Sequence, residues 1–212
     1  MNPRLLRLYL CTDRSFLRGR SLAQCVEQAV SGGITMVQLR EKTASTREFF
    51  GIATEIHALT RRLHVPLVIN DRLDVALAVG AEGLHIGQAD MPLAIARRLC
   101  GQEMIIGVSA GTTEEALEAA RGGADYVGAS AVFPTGSKDD LSHILGLEGL
   151  AAMCSAAALV KMPVVAIGGI NTDNVRAVMD SGAAGIAVIS SILAEDDIVG
   201  ATRTLLQRFS PL

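Results

Sequence analysis

The chain has 212 residues, of which 50% are hydrophobic and 19% charged, with a formal net charge of −3 at pH 7. That length and apolar content build a substantial core in one large domain or two small ones, and the mixed, slightly acidic charge leaves no reason to expect nucleic acid or an anionic membrane as partner. With no Trp, two Tyr and five Phe, stacking on single-stranded bases is disfavoured as well.

The opening MNPRLLRLYLC carries an apolar run that Asp13 and Arg14 cut short, which reads as a strand over 5–12 rather than a signal peptide. Apolar residues at helical spacing follow over 21–31, with Ser21 as N-cap and Gly32-Gly33 as the stop. The pattern then predicts a strand over 36–39, the charged cluster Arg40, Glu41, Lys42, and an amphipathic helix over 46–64 that Pro66 ends. VPLVINDRLDVALAVGAEGLHIGQAD, residues 65–90, reads as a strand over 66–70 delivering Asp71, a helix over 74–81, and a strand over 83–88 delivering Asp90. A helix over 92–100, a strand over 104–108 and a helix starting at 112–113, with Glu114 and Glu115 complementing its dipole, come next. A strand over 125–129 leads into a long loop over 133–146 and a helix over 147–158. Strands over 163–167 and 185–189 enclose a helix over 173–181, and a short turn at Ser190 and Ser191 precedes the last helix, over 196–209. No segment approaches the roughly 20 apolar residues that a membrane helix needs. Cys11, Cys25, Cys100 and Cys154 make no C-x-x-C pair and sit in apolar surroundings, which predicts reduced thiols in a soluble, cytoplasmic protein.

Eight strands alternate with eight helices in this reading. SGGITMVQL, VGAEGLHIG, RGGADYVGA and SGAAGIAVI each turn on glycine into a strand, while VPLVIN and MPVVAIGG begin theirs after proline, a weak internal repeat. Strands buried on both faces read as apolar runs, as LVI, MIIGV, VVAI and IAVI do. The expected architecture is therefore α/β, a single-domain (β/α)8 TIM barrel spanning 1–212. An open doubly wound sheet is the alternative, but its G-x-G-x-x-G turn is missing.

In such a barrel the chemistry sits where strands end and helices begin. Two parallel strands joined by a helical crossover place Asp71 and Asp90 on one face, with Asn70, Arg72, His85 and Gln88 beside them. Oxygen ligands that leave positions open for water and phosphate suit Mg²⁺ bound with a phosphorylated substrate; the plainer alternative is that the two aspartates cap the helices after them. Period-two spacing turns Gln38, Arg40 and Lys42 to one side, two cations and an amide suited to a polyanion. Ser109 ends a strand whose Gly107 permits close approach of a ligand. Pro134, Thr135, Gly136, Ser137 and Lys138 form a polar turn able to cradle phosphate oxygens, and the 133–146 loop is long enough to serve as a lid. Gly168-Gly169 and Ser190-Ser191 end the last two strands, where barrels commonly hold a phosphomonoester. Two phosphate sites imply two phosphorylated substrates.

VQLREK at 37–42, INDR at 69–72, LHIGQAD at 84–90, GVS at 107–109, YVGASAVFPTGSK at 126–138, AIGGI at 166–170 and AVISSI at 187–192 together resemble the thiamine-phosphate synthase family over nearly the whole chain. The resemblance implies a Mg²⁺-dependent transferase that couples 4-amino-2-methyl-5-hydroxymethylpyrimidine diphosphate to a thiazole phosphate, releasing pyrophosphate by dissociative loss of the leaving group. By its pattern Asp71 and Asp90 bind Mg²⁺, and Gln38, Arg40, Lys42, Asn70 and Lys138 hold the pyrimidine diphosphate. Thr135 and Ser137, with amides near Gly168 or Gly169 and at Ile189 and Ser190, hold the thiazole phosphate. Ser109 lies near the reacting pyrimidine, and it and Lys138 are the catalytic candidates. The chain departs from the family at Ser130-Ala131, where relatives usually carry Gly-Pro, and at Gly111, where His is common. Partners on this reading are the two small phosphorylated substrates, with a homo-oligomer allowed. Competing readings are a thiazole tautomerase-like isomerase, which tends to lack the metal aspartates, and a non-catalytic thiamine-precursor-binding regulator.

Overall fold

Short apolar runs flanked by glycine or proline become strands because β-branched and aliphatic side chains fit a pleated surface buried on both sides. A computed structural model describes residues 1–136 and 144–209, and in it these runs form β1 (Leu8–Cys11), β2 (Met36–Leu39), β3 (Leu67–Asn70), β4 (Gly83–Ile86), β5 (Ile105–Ala110), β6 (Tyr126–Ala131), β7 (Val164–Ile167) and β8 (Gly185–Val188). Each pairs in parallel with the next, and β8 returns to β1 to close the barrel. The expected (β/α)8 architecture is therefore the one observed, and closure rules out the open sheet.

Successive residues along each strand part company. Leu8, Leu10, Val37, Leu39, Leu67 and Ile69 face the surrounding helices in the larger core cluster, whereas Tyr9, Cys11, Met36, Val68, Tyr126, Val165 and Ala187 form a separate cluster inside the barrel. Leu6 joins that interior cluster from a 3-10 helix, Pro3–Leu6, which Asn2 caps through its side chain. This turn shortens the first strand from the expected 5–12. It also explains Gly185, since a Cβ there would come within 1.8 Å of the Leu6 carbonyl oxygen.

The outer layer consists of α1 (Leu22–Gly32), α2 (Thr46–Arg62), α3 (Leu73–Val79), α4 (Leu93–Cys100), α5 (Thr113–Arg121), α6 (Gly146–Leu159), α7 (Val175–Asp180), the one-turn α8 (Ser190–Leu193) and α9 (Ile198–Phe209). Ser21, Ser45 and Thr112 accept backbone N–H bonds at their helix starts, and Gly33 ends α1 at φ 117°, the left-handed stop expected for glycine. α7 starts two residues after the expected 173, because Asn171 and Asn174 side chains take the N–H groups of Asp173 and Asn171 in a local turn. Among the described residues no helix is long and apolar enough to cross a membrane.

Candidate active site

The C-terminal ends of the strands open into a cavity of about 680 Å³. Its wall includes Gln38, Arg40, Lys42, Asn70, Asp71, Asp90, Ser109, Thr135, Gly168, Gly169, Ile189 and Ser190, so the described residues that the family resemblance assigns to metal or substrate lie on one surface. Ser137 and Lys138, with most of the expected lid, fall outside the described residues. Arg72 does not join the others: it turns away to pair with Asp74 at 2.5 Å and with Thr46.

Two turns set the acidic end. Asp71 follows β3 in the left-handed region, at φ 63°, a conformation that costs a non-glycine residue roughly 1 kcal/mol or more. Its N–H donates to the His85 carbonyl at 2.8 Å, and its carboxylate meets Lys42 Nζ at 2.5 Å. β4 stops at Ile86, short of the expected 88, because residues 87–90 form a turn in which Asp90 Oδ2 accepts the Gly87 N–H at 2.7 Å. Burial pushes the Asp90 carboxyl above its ordinary pKa; the Gly87 N–H opposes this, and neighbouring Asp71 adds to it. Neither aspartate caps a helix, since the N-cap positions of α3 and α4 are Arg72 and Pro92, with no side-chain cap. The capping alternative is thereby removed.

No group of three or more His, Cys, Asp or Glu side chains able to hold a metal occurs among the described residues. The donors that do converge are two carboxylates facing an open cavity, which fits Mg²⁺, an ion that keeps several waters and takes the rest of its shell from substrate phosphate. Lys42 balances the charge of Asp71.

At the opposite side, glycine holds the chain close. Gly168 and Gly169 have φ 96° and 64°, and a Cβ on either would come within 2.7 Å of residues 131–134. Their backbone thus borders Phe133 and Pro134, and the carbonyl of the next residue, Ile170, accepts from Ser191 Oγ in α8. Behind this end Arg20 donates to the carbonyls of Leu17, Leu193 and Glu195, fixing the turn that carries Ile189 and Ser190. Gly111 and Ser130, the two departures from the family pattern, face each other: a Cβ on Gly111 would lie 3.3 Å from Ser130 Oγ.

Sequence reasoning missed the cavity floor. Tyr9 and Tyr126 are fully buried yet line it with Cys11, and Glu115, in the first turn of α5, lines the cavity as well. Tyr9 OH accepts from Gln38 Nε2 at 3.0 Å and lies 2.9 Å from Tyr126 OH; Tyr126 OH lies 3.0 Å from His85 Nδ1, and His85 Nε2 lies 2.9 Å from Ser109 Oγ. Burial raises both phenol pKa values and pushes the Cys11 thiol up to about 12, so all three are neutral. The available signal was that the chain's two tyrosines stand at inward positions of apolar strands.

A family model described as thiamine monophosphate synthase matches residues 8–192. The chain is 53% identical over 199 residues to the thiamine-phosphate synthase of Clostridium novyi (strain NT), covering 94% of this chain and 96% of that one. It is 52% identical over 200 residues to the thiamine-phosphate synthase of Syntrophomonas wolfei subsp. wolfei, covering 94% of each. Among solved structures it superposes on the thiamine phosphate pyrophosphorylase of Pyrococcus furiosus with a TM-score of 0.87 at 42% identity, over 98% of this chain and 96% of that one. A closed barrel that the family's model matches over residues 8–192, and that is 52–53% identical to curated members along nearly its whole length, belongs to the thiamine monophosphate synthase family.

Proposed function

We propose that the protein is a transferase that joins 4-amino-2-methyl-5-hydroxymethylpyrimidine diphosphate to a thiazole phosphate, yielding thiamine phosphate and pyrophosphate. The observation that carries this reading is the shared cavity wall, with Asp71, Asp90, Arg40 and Lys42 at one end and the glycine-bordered turns of Gly168, Gly169, Ile189 and Ser190 at the other. One end suits a diphosphate and the other a phosphomonoester. Reaction in the cytoplasm accords with four unpaired cysteines.

The carbon–oxygen bond to the diphosphate breaks first, its electron pair leaving with pyrophosphate, and the aminopyrimidine ring delocalises the resulting cation. The thiazole nitrogen then supplies the pair for the new carbon–nitrogen bond. No strong base is needed, so the Ser109–His85 pair, 2.9 Å apart in the cavity, is not called on as a nucleophile–base dyad. Arg40 and Lys42 neutralise charge on the leaving diphosphate, with Gln38 and Asn70 orienting it. Lys138 adds a further cation, assigned to the same leaving group. Thr135, Ser137 and the backbone at 168–169 and 189–190 hold the thiazole phosphate, keeping the two reactants in line. Mg²⁺ held by Asp71 and Asp90 would supply Lewis-acid neutralisation of diphosphate charge.

Incubation of the purified protein with both substrates and Mg²⁺ should release thiamine phosphate and pyrophosphate in equal amounts. Asp71→Asn and Asp90→Asn should each lower turnover by about a hundredfold or more with the fold retained, since asparagine also tolerates the left-handed backbone at 71. Full activity of both variants at low Mg²⁺ would remove the metal assignment. Isomerised thiazole without coupling would identify a tautomerase, and tight binding of both substrates without product a regulator.

A further inference from the structure

The hydrogen-bonded chain across the barrel floor has a direction. Gln38 offers its amide nitrogen to Tyr9 OH at 3.0 Å. A phenol that accepts there spends its own proton on the next oxygen, Tyr126 OH at 2.9 Å. Tyr126, having accepted, donates onward to His85 Nδ1 at 3.0 Å. An imidazole nitrogen that accepts carries no proton in the neutral ring, so the proton sits on Nε2, which faces Ser109 Oγ at 2.9 Å. Ser109 therefore accepts from histidine and keeps its own hydroxyl proton for a ligand.

We infer that Tyr126 and His85 are positioning residues, and that the chain Gln38–Tyr9–Tyr126–His85–Ser109 holds His85 as its Nε2–H tautomer so that Ser109 presents a hydrogen-bond donor to an acceptor atom of the aminopyrimidine, such as a ring nitrogen. Three features support it. Tyr9, Tyr126, Gln38 and His85 are all at most 8% exposed, so bulk water does not compete for these bonds. Burial keeps both phenols protonated, as donation requires. The rings are packed in place, Tyr9 edge-on to Tyr126 at 6.0 Å and His85 5.6 Å from Tyr126, and the strands make room for them. A Cβ on Gly107 would lie 2.1 Å from Tyr126 Cζ, and one on Gly128 3.1 Å from His85 Cε1. The chain also links Gln38, at the diphosphate end, to Ser109, beside the pyrimidine, so one rigid network meets both parts of that substrate.

Only the identity of the acceptor rests on the functional reading above; the tautomer is a property of the free protein. The test is ¹⁵N NMR of histidine-labelled protein without ligands, with the His85 signals identified by their loss in His85→Gln. The expected result is an Nε2–H ring with a hydrogen-bonded Nδ1. In Tyr126→Phe the Nδ1 resonance should shift from its wild-type position, and kcat should fall roughly tenfold, the size of one lost hydrogen bond, with KM for the thiazole phosphate unchanged. Tyr9→Phe, which leaves the Tyr126 donor in place, should shift Nδ1 less and serves if Tyr126→Phe fails to fold. A wild-type proton on Nδ1 overturns the inference, as does a Tyr126→Phe or Tyr9→Phe protein whose Nδ1 resonance and kcat both match wild type. Loss of coupling activity in the wild type would overturn the functional reading and leave the tautomer result standing.

Discussion

Between Arg40 and Lys42, whose side chains line the cavity, Glu41 turns the opposite way and is buried to 3% side-chain exposure against Arg14 at 2.8 Å. Its Oε1 has no hydrogen-bond partner. Burial raises the Glu41 pKa above the usual carboxylate value, with Arg14 only partly offsetting it. The folded chain thus holds this proton more tightly than the unfolded chain. The stabilising contribution is complete below the ordinary glutamate pKa and is lost as pH rises through the raised folded value. Glu41→Gln has no such dependence, so its Tm relative to wild type should be higher at neutral pH than at about pH 5. Thermal melts of both proteins across that interval measure it, and a constant difference would mean that Glu41 titrates normally.

Two glycines in regular elements show how the same residue type serves opposite ends. Gly185 on β8 stands where a Cβ would meet backbone of residues 6 and 7 within 2.8 Å, and backbone cannot give way as a side-chain tip can. Gly185→Ala should therefore destabilise by about 3 kcal/mol, the upper part of the range for overpacking, and disturb closure between β8 and β1. Gly51, inside α2, has nothing within 4 Å of its would-be Cβ. Gly51→Ala should stabilise by about 0.5–1 kcal/mol, because glycine loses more backbone entropy than alanine on entering a helix. Denaturant titrations of the two variants should thus move the midpoint in opposite directions. A Gly51→Ala midpoint below wild type would mean that this helix face is covered in solution.

At the scale of the whole molecule, the four thiols report on closure of the barrel and its helical layer. Burial raises all four thiol pKa values, to about 12 at Cys11 and about 11 at Cys154. Since the thiolate is the reactive form, raising pH toward 8 should produce little labelling of the native protein at Cys11, Cys25 and Cys154, all buried. Half-buried Cys100 should react first, and unfolding should expose the rest together. Rapid modification of Cys11 in the native state would mean that the barrel interior opens readily.

The alternation of eight strands with helices was legible in the sequence because apolar period and glycine or proline punctuation are local properties, written within ten or so residues. So were Asp71, Asp90, Gln38, Arg40 and Lys42, because polar residues that follow an apolar strand must emerge at its end. Strand ends were less legible: β5 and β6 run to Ala110 and Ala131, beyond the expected 108 and 129, through pairing with each other and with β7. Parity along a strand separates two faces without saying which one is enclosed, and only closure of β8 on β1 decided that. Pairing of neighbouring β4 and β5 joined His85 to Ser109, but closure is what brought Tyr9 to Tyr126, 117 residues away in sequence. It also left Arg72 outside a cavity that its neighbours Asn70 and Asp71 line. Side-chain contacts across a barrel depend on shear and register, which arise from all eight strands together, and no single stretch of sequence contains them.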